Sequence, residues 1–172
     1  MQRFKRSTLL PRVQRVLGFL RSVQPSSLLD IGTGRGAFLW PLLDAFPDLP
    51  VHCVDVLPHR VEMLEEVRKG GIENLTAEVL DATTANWPED SRDVVTALEV
   101  LEHMTSPQQA IENCVRCASR YVVASVPSKE DDNPEHLQLF GPAEITQRFL
   151  DAGARKAVCE HVLNHRIVFV TV

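Results

Sequence analysis

The stretch LLDIGTGRGAFL, from Leu28 to Leu39, ends a short apolar run on an aspartate and then sets glycines at positions 32, 34 and 36. An aliphatic run of this length, stopped by turn residues, predicts a buried strand over Leu28 to Ile31. Gly32 and Gly34 let the backbone turn tightly and approach a ligand with no Cβ in the way. Gly36 is expected to let the following helix, Ala37 to Phe46, pack closely against the strand. The loop therefore stands where a doubly wound sheet binds ligands, beyond the carboxyl end of its first strand.

The rest of the chain repeats this unit. Val51 to Asp55, Thr76 to Leu80, Val94 to Leu98 and Tyr121 to Val126 read as further buried strands. Pro58 to Lys69 and Pro107 to Ser119 read as helices opened by proline in the first turn. After a helix over Pro142 to Asp151, two strands follow, Lys156 to Val162 and Ile167 to Val172. Only Leu163 to Arg166 separate them, too few for a crossover helix, so they are expected to pair as an antiparallel hairpin. The expected fold is α/β, a Rossmann-like doubly wound sheet of seven strands, mostly parallel, with that hairpin at one edge. A length of 172 residues suits one domain. Residues 1–24 form a basic amphipathic helix in this reading, and residues 25–172 form the core.

Composition narrows the function. The formal net charge of -5 gives no general affinity for polyanions, although Arg3, Lys5, Arg6, Arg12, Arg15 and Arg21 precede the first acidic residue. Leu9, Leu10, Val13, Val16, Leu17 and Leu20 form an apolar stripe on the same segment, so its basic face is expected in water. No apolar run is long enough for a membrane span. The four cysteines, without a secretory pattern before them, suggest free thiols and a cytoplasmic location. Cys114 and Cys117 form a C-x-x-C with no second pair, and are expected as small buried residues.

Gly32, Gly34 and Ala37 also satisfy the G-x-G-x-x-G/A pattern of nicotinamide-binding folds, so the neighbours must decide. Asp55 ends the second strand, where a carboxylate can accept both hydroxyls of a ribose or cap the helix at Pro58. With DIGTGRGAFL, VHCVDVLPHRVEML, AEVLDATTANWP, DVVTALEVLEHM and YVVASVP in this order, the chain resembles class I S-adenosylmethionine-dependent methyltransferases from about Ser27 to its end. That resemblance implies that Asp30 meets the methionine ammonium, while Gly32, Gly34 and Gly36 form the loop around the aminoacyl part. It implies that Asp55 holds the ribose and that Val56 and Leu57 enclose adenine. Asp81 and the Ala82 amide would read the adenine edge, and Leu98 and Glu99 would border the sulfonium. A cation at the strand end suits Asp30, which would repel a pyrophosphate.

The acceptor is expected to be a small molecule, with Glu99, His103 and His136 as candidate catalytic groups. Two readings of E-V-L-E-H, Glu99 to His103, stay open. In one it opens the helix after the fourth strand. In the other, Glu99, Glu102 and His103 share a helical face and, with His136, hold a divalent metal in an O/N shell. The second reading resembles the metal-dependent family that methylates the terminal ribose 2′-hydroxyl of small RNAs, making RNA an alternative partner. A third alternative is a methyltransferase-like subunit without activity of its own. His165 falls in the expected hairpin turn and is given a surface or structural role.

Overall fold

The computed structural model describes residues 10–130 and 132–172, so the basic residues Arg3, Lys5 and Arg6 lie outside the described part. Helix α1 spans Pro11–Val23 and leads into strand β1, Leu28–Ile31. Then follow α2 (Leu39–Ala45), β2 (Val51–Asp55), α3 (Pro58–Lys69), β3 (Leu75–Val79) and β4 (Arg92–Leu98). The chain closes with α4 (Pro107–Cys117), β5 (Ala118–Pro127), α5 (Pro142–Asp151), β6 (Lys156–Val162) and β7 (His165–Thr171).

The seven strands form one sheet in the order β3-β2-β1-β4-β5-β7-β6. Strands β1 to β5 are parallel, and β7 runs antiparallel to both β5 and β6. Strand order reverses beside β1, which pairs with β2 on one side and β4 on the other. That reversal opens a crevice at the carboxyl ends of these strands.

All four residues of β1 are buried, because the sheet is covered on both faces. Leu29 and Ile31 join Ile111, Cys114, Ile145 and Phe149 of α4 and α5 on one face. Leu28 joins Val16, Leu17 and Leu20 of α1, Leu39 and Leu42 of α2 and Leu64 of α3 on the other. Cys53, Cys114 and Cys117 are buried free thiols, as their spacing suggests.

Four local departures from expectation have clear causes. Helix α2 starts at Leu39 because Gly36 has φ 74° and takes part in a turn, so Gly36 shapes the loop instead of opening the helix. The segment Glu99 to His103 contains only a 3-10 turn, Leu101–His103, since Glu99 sits at φ 56° and cannot continue a helix. The hairpin turn is tighter than expected: Leu163, at φ 52°, and Asn164 suffice, and His165 pairs with Val162 across the ladder. Finally, the basic face of α1 is not left wholly to water. Arg15 donates twice to Glu160, both at 2.7 Å, and lies 4.4 Å over the Phe169 ring, which clamps α1 to the hairpin.

Candidate active site

The crevice holds two adjoining cavities, of about 650 and 520 Å³, whose walls share Gly32, Gly34, Arg60, Glu99 and His103. The larger also takes in Asp55, Val56, Leu57, Asp81 and Ala82. The smaller takes in Arg12, Asp30, Arg35 and Leu98. The residues expected to hold a donor thus line one continuous crevice, except Gly36, which is buried behind the loop.

The glycine loop is fixed by its neighbours. The Gly32 amide donates to the Val54 carbonyl at 2.8 Å, and the backbone at Gly32 has φ 67°. A Cβ there would stand 2.5 Å from Val100 Cγ2, so the close approach of the loop to the segment after β4 requires glycine. Asp55 ties the loop to β2: its Oδ2 accepts from the Gly34 amide at 3.3 Å and its Oδ1 from the Leu57 amide at 3.0 Å. The cap residue of α3 is Leu57, so Asp55 is a tie between two loops and not the helix cap. A carboxylate has about four lone-pair sites, and these two bonds leave acceptor capacity on the cavity wall.

Asp30 is 3% exposed and accepts from Thr96 Oγ1 at 2.7 Å. Burial pushes its carboxyl up to about 6; the hydrogen bond from Thr96 opposes that, and the charge of Asp55 adds to it. The folded protein therefore binds this proton more tightly than the unfolded chain. The linkage is worth roughly 3 kcal/mol, present at low pH and lost as pH rises through about 6. A buried acid that ionises at such a cost suits a site that receives a cation.

Val56 and Leu57 are 57% and 44% exposed, an unusual state for large aliphatic side chains and one suited to flanking a flat ring. Asp81 accepts from the Thr83 amide at 2.8 Å, which folds the strand end back, while Ala82 is buried and its carbonyl accepts from Asn113 of α4 at 2.8 Å. Both residues border the larger cavity.

Around the 3-10 turn, ligand atoms of Glu102, His103 and His136 lie within 4.8 Å of one another. Glu102 is fully buried, and its carbonyl accepts from the Leu137 amide at 2.8 Å, pinning the long loop after β5 to the turn. His103 Nδ1 lies 3.0 Å from the Glu135 carbonyl, which only accepts, so the ring proton sits on Nδ1 and Nε2 is left as acceptor. The four-residue metal shell is corrected here: Glu99 is not in this group, because its carboxylate turns the other way. Oε1 accepts from Ser125 at 2.7 Å and Oε2 from His165 Nδ1 at 2.9 Å. His136 borders a third cavity with Pro127, Lys129 and Leu137, beside the crevice and outside its two main lobes.

Two cavity-linked residues escaped sequence reading. Arg60, in the first turn of α3, borders both lobes with its Nε and Nη1 atoms buried; a polar residue there reads as an ordinary helix surface. His165 reaches Glu99 because β7 pairs antiparallel with β5 and sets His165 opposite Pro127, a register that no local pattern encodes.

A family model described as a methyltransferase domain matches residues 29–120, more than half of the chain. The chain belongs to this methyltransferase-domain family. The match runs from the glycine loop through β4 and α4, which includes most of the crevice. The domain is 36% identical over 90 residues to aklanonic acid methyltransferase DauC of Streptomyces sp. (strain C5), covering 49% of this chain and 40% of that one. A 42-residue stretch is 55% identical to ribosomal RNA small subunit methyltransferase G of Leuconostoc mesenteroides, covering 24% and 18% of the two chains. The matched part thus spans well under half the length of these curated relatives. Among solved structures, the methyltransferase domain superimposes on a SAM-dependent methyltransferase from Aquifex aeolicus with TM-score 0.71 and 18% identity, covering 94% and 97% of the chains. It also superimposes on magnesium protoporphyrin IX methyltransferase (ChlM) from Synechocystis PCC 6803 with bound SAH, TM-score 0.74 and 17% identity, covering 93% and 81%. At such identities the likeness carries the fold.

Proposed function

We propose that this methyltransferase domain transfers a methyl group from S-adenosylmethionine to a small-molecule acceptor. The observation that carries this reading is the two-lobed crevice: one lobe has the carboxylate and exposed aliphatic pair suited to a nucleoside, and the adjoining lobe has the buried Asp30 and the half-buried Glu99, suited to a cation. The 36% identity to an enzyme named for aklanonic acid supports a small acceptor. When bound, the donor supplies a methyl on cationic sulfur, so the C–S bond breaks to leave a neutral thioether as the acceptor atom bonds to carbon.

The protein's own contribution is alignment, exclusion of water and placement of charge. Asp55 accepts the ribose hydroxyls, Val56 and Leu57 flank the base, and Asp81 with the Ala82 amide reads its edge. Asp30 and Glu99 set negative charge beside the cationic end. His103 Nε2, held as an acceptor by the Glu135 carbonyl, takes the proton when the acceptor is a hydroxyl or an ammonium.

Calorimetric titration with S-adenosylmethionine tests the reading, and its pH dependence tests the role of Asp30. Asp30 ionises above about pH 6 and a cationic ligand favours the ionised form, so affinity is expected to fall about five- to tenfold from pH 7.5 to pH 5. Asp30→Asn should flatten that profile. No heat of binding at millimolar donor would remove the proposal, and an unchanged profile in the Asn variant would remove Asp30 from it.

One observation favours a second reading, metal-assisted methylation of an RNA 3′-terminal ribose: the convergence of Glu102, His103 and His136. A carboxylate and two imidazoles suit a divalent transition ion, and such an ion would lower the pKa of a bound hydroxyl. This reading expects Mn²⁺ to bind with micromolar affinity by calorimetry, and His136→Ala to weaken it at least about tenfold. Absence of Mn²⁺ binding leaves the small-molecule reading alone.

A further inference from the structure

Glu99 is held in place from three directions. Its backbone lies at φ 56°, a left-handed conformation that costs a residue with a Cβ about 1 kcal/mol and persists only where surroundings impose it. From β5, Ser125 provides two constraints, its carbonyl accepting the Glu99 amide at 2.9 Å and its hydroxyl donating to Glu99 Oε1 at 2.7 Å. From β7, His165 Nδ1 donates to Oε2 at 2.9 Å. From α1, Arg12 Nη1 stands 3.3 Å from the far nitrogen of the same imidazole, His165 Nε2.

The order of this relay follows from what each group can do. A guanidinium only donates, so His165 Nε2 must accept and the ring proton must sit on Nδ1, directed at Glu99. Arg12 therefore selects the tautomer that grips the carboxylate. The clamp of Arg15 on Glu160 and Phe169 fixes α1 to the same hairpin and keeps Arg12 at its station.

We propose that His165, oriented by Arg12, is a positioning residue that fixes the Glu99 carboxylate at the junction of the two cavities, so that the site prefers a cationic sulfonium to the neutral thioether. Three observations separate this from a mere structural tie. Glu99 borders both lobes, where a purely structural acid would sit in the packing. Burial alone would raise its carboxyl, yet the hydrogen bonds from His165 and Ser125 and the nearby charges leave it lowered, so it stays anionic at neutral pH. It also shares the walls of both lobes with Arg60 and that of the smaller lobe with Arg12 and Arg35, and the bonds from His165 and Ser125 fix where its carboxylate sits among them. The consequence is discrimination between substrate and product, which differ by one methyl and one unit charge.

This inference rests on the donor proposed above, and its test is chosen to tell the two apart. Affinities for S-adenosylmethionine and S-adenosylhomocysteine are measured for the natural chain, His165→Asn and His165→Gln. An asparagine amide occupies the Nδ1 position and can still donate to Glu99; a glutamine amide occupies the Nε2 position and cannot. The Asn variant should keep the natural ratio of the two affinities, and the Gln variant should shift it about five- to tenfold toward the neutral ligand. A shared shift in both variants, or in neither, overturns the inference while leaving the donor reading intact. Binding of neither ligand by the natural chain overturns both. A long-range ¹⁵N spectrum of the ligand-free protein reads the contact itself without any substitution: the Nδ1–H tautomer of His165 is expected, and the Nε2–H tautomer would defeat the relay.

Discussion

Asp55→Ala is expected to weaken S-adenosylmethionine binding by at least about a hundredfold while leaving the sheet folded. Hydrogen bonds to a charged acceptor are worth about 1.5–3 kcal/mol each, and two ribose hydroxyls would lose theirs together. Even the lower bound gives about 3 kcal/mol, which corresponds to more than a hundredfold in affinity. The same substitution frees the Gly34 and Leu57 amides, which then turn to water at the cavity mouth, so a loss of about 1 kcal/mol in stability accompanies it. Calorimetry for the ligand and denaturant titration for the fold separate the two effects. Affinity within threefold of the natural protein would mean that the nucleoside does not sit against Asp55.

Gly32→Ala is expected to cost about 3 kcal/mol of stability and to abolish donor binding. Two penalties combine. The backbone at φ 67° is unfavourable for alanine by about 1 kcal/mol, and the new Cβ would press on Val100 Cγ2 from 2.5 Å, adding an overpacking cost of about 1–3 kcal/mol. The contact is with one side chain, so the second penalty can be relieved separately. Compared with Val100→Ala alone, Gly32→Ala in the Val100→Ala background should cost at least about 1 kcal/mol less than in the natural protein, with the backbone penalty remaining. A double-mutant cycle by urea denaturation checks this; additive losses would show that the loop and the segment after β4 do not press on one another.

Much of the fold was legible because local chemistry and tertiary demand agreed. Leu28–Ile31 and Val51–Asp55 place apolar residues on both faces, Leu28, Val51 and Cys53 on one and Leu29, Ile31 and Val54 on the other, as strands covered on both sides need. Prolines 58, 107 and 142 mark the first turns of α3, α4 and α5, where a missing amide is harmless. The short spacing between β6 and β7 excluded a parallel crossover, and the hairpin follows. In three of the four departures a single residue in a left-handed conformation was responsible: Gly36 delays α2, Glu99 prevents a helix over E-V-L-E-H, and Leu163 tightens the hairpin. Left-handed glycine is readable as a tendency. Left-handed Glu and Leu are not, since their own preference opposes it and only surrounding contacts impose it.

The residues expected to hold the donor come to line one crevice for a reason that is also local. Asp30, Gly32, Gly34 and Asp55 lie at strand ends, and the parallel order of β1 and β2 brings those ends together. The metal expectation shows the opposite case. Spacing put Glu99, Glu102 and His103 on one imagined helical face, and without that helix the group became Glu102, His103 and His136, with Glu99 given to His165.

By itself the sequence determined the alternation of strands and helices, the glycine loop and the acids that end the first two strands, because each depends on preferences that act within a few residues. Only the tertiary structure decided which way the Glu99 carboxylate points and what holds it. Ser125 from β5 and His165 from β7 meet at one carboxylate, and Arg12 from α1 reaches it through His165, by way of an antiparallel register and a helix docked on a hairpin. Such long-range contacts arise from packing and strand pairing, and no local run of residues carries them.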